Sequence, residues 1–332
     1  MILIVSDSSD ASTNHVMDWI RAFNYPVTRI NADARIHILE YSPNDSTFTA
    51  NILDGNQCYS IASIESVWYR RGRINFDLPV LSESDCMNHL LRDGINEYLM
   101  RENNIATMAL LHHLQNKKSL NSPLDLFVNK LIVLKIAQEV GFKIPDSILT
   151  SQPERLHAFK HRHGRIICKP LNTGPLNAIA GYRCESLTSE VTDSDIDSYG
   201  PHNRPSFVQE LIPKICDVRL FYINEDIYAS AIFSQGNAKT AIDFRNYDTE
   251  KPNKVDPIEL PNDLKAKIVI LMKRLGYNSG SIDFVLSVKG EFIFLEVNPV
   301  GQFAQVSVPC NYYIERRIAL ELISDDCRRS QS

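Results

Sequence analysis

Residues 281–299 read SIDFVLSVKGEFIFLEVNP, two apolar runs either side of Lys289-Gly290, and no other stretch constrains the fold as tightly. Branched and aromatic residues flanking a glycine-containing turn predict a β-hairpin. With the turn centred on Lys289-Gly290, Val288 faces Glu291; a four-residue loop with Ser287 opposite Phe292 sets the same register. Asp283 then lies opposite Glu296, and Ser281 opposite Asn298. Side chains alternate along a strand, so Asp283, Glu296 and Asn298 share one face. Two carboxylates set opposite each other repel, and more so in an apolar sheet, where an unpaired charge is expensive. Either one carboxyl is protonated or a cation sits between them. Three hard oxygen donors suit Mg²⁺, which also takes waters and phosphates. The alternative is an ordinary solvated hairpin end.

The rest of the chain sets the frame for that hairpin. Its 332 residues are 44% apolar and 23% charged, an ordinary globular composition. A net charge of −5 argues against a general nucleic-acid binder, while leaving room for a local basic groove. No apolar run reaches the roughly 18 residues of a membrane span. The chain opens on the strand pattern MILIVS with no basic n-region, so no signal peptide is expected. Seven scattered cysteines without a C-x-x-C pair suit reduced thiols, and a cytoplasmic location is expected.

MILIVSD, a helix capped by Ser12-Thr13-Asn14, and YPVTRINAD predict an opening βαβ unit. Asp54-Gly55 is a hairpin signal. Ser82–Asp85 predicts the start of a helix whose apolar residues Met87, Leu90, Leu91, Tyr98 and Leu99 share a face. The polar QNKKSLNSP closes a first domain near residue 118. Helices are predicted at about 125–140 and 262–275, the first ended by Gly141 and Pro145. A capping box at Ser151 and Glu154 predicts another helix start. NTGPLNAIAG reads as a loop of small residues, and strands dominate from SFVQELIP onward.

A magnesium held by carboxylates implies a polyphosphate, whose oxygens need cations. Lys130 sits in the first turns of a predicted helix, and Lys169 ends the strand RIICKP just before the small-residue loop, whose N–H groups could approach phosphate. Either lysine could equally point into solvent. Neither G-x-x-x-x-G-K-[ST] nor G-x-G-x-x-G is present, which excludes P-loop and dinucleotide motifs. Arg219 and Arg245 lie where a guanidinium could clamp phosphate or carboxylate, or form plain surface ion pairs. Arg70, Arg71 and Arg73 suit either an acidic peptide or a salt-bridged domain edge. KHRHGR (160–165) reads as a solvated helix end ahead of a zinc or phosphate site, and Asp7–Asp10 as turn and cap residues. Trp19 and His112-His113 read as structural.

Taken in order, Lys130, CKP with Lys169, QELI, DVR, DFR, SIDF and EVNP resemble the motifs of the ATP-grasp ligases over about residues 119–310. RIN, VWYRRG and the opening strand and helix resemble one branch, the graspetide synthetases that install ω-ester or ω-amide links in ribosomal peptides. The resemblance implies an α+β ATP-grasp fold, two α+β subdomains gripping ATP, behind a small α/β pre-ATP-grasp domain. It divides the chain into 1–118, 119–205 and 206–332, the last carrying the metal site. It implies Asp283, Glu296 and Asn298 as ligands of Mg²⁺, and Lys130 and Lys169 on the phosphates of ATP. Gln209, Glu210, Leu211 and Ile212 would read adenine, with Lys214 or Asp217 at the ribose. Arg219 and Arg245 would act at the γ-phosphate and the acceptor carboxylate. The implied substrate is a ribosomal precursor peptide, a leader plus a core rich in Thr/Ser and Asp/Glu, with a lid at 172–181. No nucleic acid or membrane is expected as a partner, and a homodimer is left open. The alternatives are a ligase of small carboxylates and amines, or a nucleotide-binding regulator without turnover.

Overall fold

A computed structural model describes residues 1–34, 36–42, 49–54, 57–72, 74, 76–77, 80–122, 128–171, 176–179, 182–184, 188–199, 204–237, 239–246 and 248–323. The chain divides into two compact units, Met1–Phe127 with Tyr313–Ser332, and Val128–Tyr312.

In the first unit β1 (Ile2–Ser6), α1 (Ala11–Ala22) and β2 (Val27–Asn31) form the expected βαβ unit, with β1 and β2 parallel. Three further strands, β3 (Ile36–Ser42), β4 (Thr49–Asp54) and β5 (Gln57–Ser60), make an antiparallel sheet. Asp54 pairs with Gln57 across the expected turn, whose Gly55 and Asn56 fall outside the described residues. β6 (Ser66–Tyr69) lies beside β1, and β7 (Lys118–Leu120) follows the helix α2 (His89–Gln115), giving the order β2-β1-β6-β7.

Helix caps depart from expectation wherever a nearer side chain does the work. Asp10, not Ser12, caps α1 by accepting from the Ser12 amide. The same carboxylate lies 2.9 Å from Arg70 Nε and 3.6 Å from Arg71 Nε, so two of the arginines after β6 secure the start of α1; Arg73 is outside the described residues. Asn88 caps α2, while Ser82 closes a turn onto Asp85. The apolar positions expected to bury one face of α2 are instead exposed at Met87, Leu90, Leu91 and Tyr98, and only Leu110 and Leu114 of this helix join the core. The last described helix, α8 (Ile314–Leu322), packs on α1, with Arg316 over the rings of Trp19 and Phe23. Trp19 is thus half-buried under a cation rather than in the core. Residues from Tyr313 on, counted above in 206–332, belong to this first unit.

The second unit begins with α3 (Lys130–Val140), capped by Asn129 and stopped by Gly141 at φ 94°. A four-stranded antiparallel sheet follows, ordered β12-β9-β13-β8, from β8 (Ser147–Thr150), β9 (Ile166–Cys168), β12 (Ser189–Glu190) and β13 (Ser206–Glu210). Its helix α4 (Pro153–His163) starts on Pro153 after Gln152, so the Ser151/Glu154 box does not form; proline suits the first helical position because no bond is lost there. A capping box does form at Thr192 and Asp195, opening α5 (Asp193–Asp197). The expected small-residue loop carries a hairpin, β10 (Leu176–Ile179) with β11 (Tyr182–Cys184). The rest of the expected lid, 172–175 and 180–181, lies outside the described residues.

The larger sheet is antiparallel throughout and ordered β16-β15-β14-β17-β18. Its strands are β14 (Lys214–Ile223), β15 (Asp226–Phe233), β16 (Lys254–Pro257), β17 (Ser279–Ser287) and β18 (Phe292–Asn298). Two helices, α3 and α6 (Asn262–Leu275), cover one face, where Val133, Leu134, Ile268 and Leu271 meet Leu220, Ile282, Phe284 and Phe294. Each of these side chains contributes about 1.5–3 kcal/mol by burial. Alternation turns Asp217, Arg219 and Asp283 to the opposite face. A short helix, α7 (Ala304–Cys310), ends the unit. Among the described residues, Cys58, Cys86, Cys168, Cys216 and Cys310 are free thiols, and no helix is long and apolar enough to cross a membrane.

Candidate active site

The β17–β18 hairpin reaches the expected ligand register by an unexpected route. Gly290 adopts φ 77°, and the Ser287 amide donates to Glu291 O at 2.9 Å, closing a three-residue loop between the two predicted loop lengths and shifting the register by one. Leu286, Val285 and Phe284 then pair with Phe292, Ile293 and Phe294. Continued unbroken, that register would set Asp283 against Leu295. A β-bulge intervenes, Leu295 is the extra residue, and Asp283 pairs with Glu296 and Ser281 with Asn298. A bulge re-aims side chains. Here Phe294 and Val297 stay in the core while Leu295 and Glu296, consecutive in sequence, both line one cleft.

β14 pairs with β17 so that Arg219 stands opposite Asp283. Glu296, Asp283 and Arg219 therefore form a row across three strands. Arg219 Nη1 is 3.5 Å from Asp283 Oδ2, and its guanidinium lies over the Phe244 ring. Asp283 Oδ1 is buried and accepts no hydrogen bond from the described residues. On the other side of the row, Glu296 Oε2 is 3.1 Å from Lys130 Nζ and its Oε1 is 3.8 Å from Arg245 Nη1. Lys130 also donates to Pro170 O at 3.0 Å, which ties the first residue of α3 to the segment after β9.

Two further pairs complete the wall. Arg245 grips Asp243 with two side-chain bonds, Nε to Oδ1 at 2.8 Å and Nη2 to Oδ2 at 2.7 Å. Lys214 Nζ contacts both oxygens of Asp217, at 2.6 and 2.8 Å, and Ser234 Oγ donates to Asp217 Oδ2 at 2.6 Å. At the far edge, Gln209 donates to Ser147 Oγ at 2.9 Å while its Oε1 is buried without a partner among the described residues. Glu210 accepts from the Asp146 amide at 2.9 Å and faces His163, 3.5 Å away. His163, at the end of KHRHGR, is thus held between Glu210 and Asp146 rather than free in solvent.

The electrostatics follow from burial and these neighbours. Burial and the adjacent Glu296 push the Asp283 carboxyl above the usual range, against the opposing pull of Arg219. Glu296 is also opposed by burial, but Lys130, Lys169 and Arg245 outweigh it and hold this carboxyl low. Burial, with Lys130 and Arg245 nearby, pulls the Lys169 ammonium down despite Glu296. Asp243, although buried, is brought to about 2 by its bonds from Arg245. Asp217 is raised by burial, with Lys214 opposing. Lys130, Lys169, Lys214, Arg219 and Arg245 thus confront Asp217, Asp243, Asp283 and Glu296 around one cleft, an arrangement suited to a highly charged anion carrying a divalent cation.

Neither a protein-family model nor a curated protein matches the sequence. Among solved structures, the chain is similar to the macrocyclase MdnC of Microcystis aeruginosa bound with precursor peptide MdnA. The two share 26% identity over 97% of this chain and 98% of that one, with a TM-score of 0.78. It is also similar to a RiPP-associated ATP-grasp ligase of Chryseobacterium gregarium in complex with ADP and a leader and core peptide. There the identity is 25% over 99% and 96% of the two chains, with a TM-score of 0.79. The ATP-grasp ligase PsnB, complexed with minimal precursor, Mg and ADP, shares the fold at 18% identity over 100% and 97%, with a TM-score of 0.71. The chain has the fold of the ATP-grasp ligases.

Of the residues singled out from the sequence, Lys130, Lys169, Gln209, Glu210, Leu211 and Ile212 line the cleft. So do Lys214, Asp217, Arg245, Asp283 and Glu296. Arg219 reaches it through Asp283. Asn298 stands apart: it is exposed, and its side-chain oxygen accepts from the Val300 amide at 3.0 Å. Its loop is nonetheless tightly placed, because a Cβ on Gly301 would lie 2.2 Å from Ser281 Oγ. Asp243, Phe244 and Leu295 are among the cleft residues that the sequence reading does not single out. Asp243 carried a usable signal, a carboxylate two residues before Arg245. Leu295 carried none, since it reads as one more apolar strand residue.

Proposed function

We propose that this chain is an ATP-dependent peptide macrocyclase that joins Asp or Glu side chains of a ribosomal precursor to Ser/Thr hydroxyls or a Lys amine. The observation that carries this reading is the row Glu296–Asp283–Arg219 facing Lys130, Lys169 and Arg245, in a chain that matches a precursor-bound macrocyclase along its whole length. The donor set fits Mg²⁺: two carboxylates with one buried oxygen unpartnered, and an amide oxygen two residues on. Asp283, Glu296 and Asn298 would hold the ion, which supplies positive charge where phosphate oxygens gather.

Roles for the other residues follow from place and charge. Lys130 and Lys169 take phosphate oxygens of ATP, and the segment Gln209–Ile212 borders the adenine. Lys214 and Asp217 already satisfy each other, so contact with the ribose requires part of that pair to open. Arg245, fixed in plane by Asp243, presents its remaining N–H groups to the acceptor carboxylate, and Arg219 neutralises charge behind Asp283. The substrate carboxylate attacks the γ-phosphorus and the bond to the β-phosphate oxygen breaks, leaving an acylphosphate and ADP. A hydroxyl or amine of the same peptide then attacks the acyl carbon, loses its proton, and releases phosphate. The protein supplies charge and position and needs no nucleophile of its own. A cytoplasmic location fits the demand for ATP.

The test is a peptide encoded beside this gene, carrying repeats rich in Thr/Ser and Asp/Glu. With enzyme and Mg-ATP its mass should fall by one water per ring. ATP turnover without mass loss would refute the peptide reading and leave a small-molecule ligase.

A further inference from the structure

We propose that Lys214 and Asp217 are a positioning pair for Arg245, holding the loop that carries this arginine rather than contacting the nucleotide. The inference rests on the ligase reading above. Strict alternation along β14 would put Lys214 on the core face with Cys216, Val218 and Leu220. The strand departs from it: Lys214 pairs with Ser287 and Cys216 with Leu286, so Ile215 is an extra residue, and it is 46% exposed. This bulge turns Lys214 onto the face of Asp217. A ladder position is thus given up to bring two opposite charges together, both side chains at most 6% exposed. A buried ion pair is a weak source of net stability, so its role lies in what it holds.

What it holds is the connection from β15 to β16. Lys214 Nζ contacts both Asp217 oxygens and also donates to Ile242 O at 3.4 Å, one residue before the Asp243 that grips Arg245. Ser234, the residue after β15, is fully buried and donates to Asp217 Oδ2 at 2.6 Å. The buried Thr240 hydroxyl donates to Ser234 O at 3.0 Å, and Gln235 donates to Ala241 O at 2.9 Å. One carboxylate therefore fixes the connection where it leaves the sheet and, through Lys214, where it turns into Asp243 and Arg245. The three N–H groups of Lys214 face three acceptors, and both Asp217 oxygens already accept. That is the saturation of an anchor rather than of a ligand site. Slack in the anchor would move Arg245, whose Nη1 is 3.8 Å from Glu296 Oε1, and a misplacement of about 1 Å can cost up to about 10²-fold in rate.

Ser234→Ala cuts the tie between Asp217 and the loop from behind, and Asp217→Asn removes the charge itself; the first carries the test if the second does not fold. Ser234→Ala should lower turnover about tenfold while ADP affinity stays within about twofold of wild type. Added to Arg245→Lys it should cost less than about twofold further, because both changes act through one guanidinium. Amides of Ile242 to Asn246 should exchange with deuterium at least about tenfold faster in Ser234→Ala. Thr240→Val should behave likewise, and Thr240→Ser, which keeps the hydroxyl, should restore both rate and protection. Asp217→Asn should leave the ratio of affinities for ADP and 2′,3′-dideoxy-ADP unchanged. A collapse of that ratio would place the pair at the ribose and overturn the proposal. Full additivity of Ser234→Ala with Arg245→Lys, or unchanged amide exchange, would do the same. A wild type that forms no rings refutes the macrocyclase reading alone, since amide exchange and ADP affinity still decide the anchor.

Discussion

Glu296→Gln separates the charge at the centre of the cleft from its shape. The glutamine keeps the size of the side chain and an oxygen for Lys130, but removes the negative charge 3.1 Å from Lys130 Nζ. At that distance an effective dielectric of about 20 gives roughly 5 kcal/mol of attraction. The two side chains are only 12% and 19% exposed, and taking one partner from a buried pair leaves the other uncompensated, at about 3–5 kcal/mol. Relief of repulsion at Asp283 returns part of this, so a net loss of about 2 kcal/mol is expected. Across 332 residues, at about 2.1 cal/mol/K of unfolding entropy per residue, that lowers the melting temperature by about 3 °C. Turnover should fall by at least about 10²-fold, the scale of losing one fixed charge aimed at the transition state. ADP without magnesium should bind no more weakly, because the cleft becomes more positive. Glu296 is held low, so its stabilising charge is present above the ordinary carboxylate range and lost as pH falls through its depressed value. The variant should lack that acid-side loss. Melting by fluorimetry, ADP release and peptide mass read all three arms. Wild-type turnover with unchanged magnesium dependence in Glu296→Gln would refute the metal argument.

The other acids and their supports give distinct signatures. Asp283 is pushed up, so its charge costs stability as pH rises through the raised value; apo Asp283→Asn should melt at or above wild type while turnover is lost, and a lower melting temperature would count against the buried like-charge pair. Asp243, at about 2 against an ordinary 3.8, contributes about 2 kcal/mol that is complete above pH 3.8 and disappears toward pH 2. Asp243→Asn should show a flat acid-unfolding curve over that window. Arg245→Lys keeps the charge beside Asp243 but loses the planar fork that two separate nitrogens present, so turnover should drop tenfold or more with little change in melting temperature. A Cβ on Gly280 would stand 2.9 Å from both Asn298 O and Pro299 Cα, so Gly280→Ala should cost about 1–3 kcal/mol and raise the magnesium concentration needed for half-maximal turnover.

What the sequence made legible was which side chains share a face, and what it hid was which segments meet. Asp283, Glu296 and Asn298 could be placed together because strand alternation is local. Their opposition was expected from a turn register one position off, and the bulge at Leu295 restores the pairing that the observed three-residue loop displaces. Nothing in FIFLEV marks that bulge, because its cause lies in the core: Phe294 and Val297 must both reach Phe284 and its neighbours, and an intervening pair of residues can satisfy that only if the strand kinks. The grip of Arg245 on Asp243 was within reach of sequence reasoning, whereas the convergence of Lys130 on Glu296 spans 166 positions and was carried by family resemblance alone. Helix α2 shows the same limit from the other side. Its apolar periodicity was read as a buried face, and periodicity states only that a face will be covered, not by what. The core of its own unit covers Leu110 and Leu114, while Leu91, Tyr98, Ile105 and Met108 stay exposed.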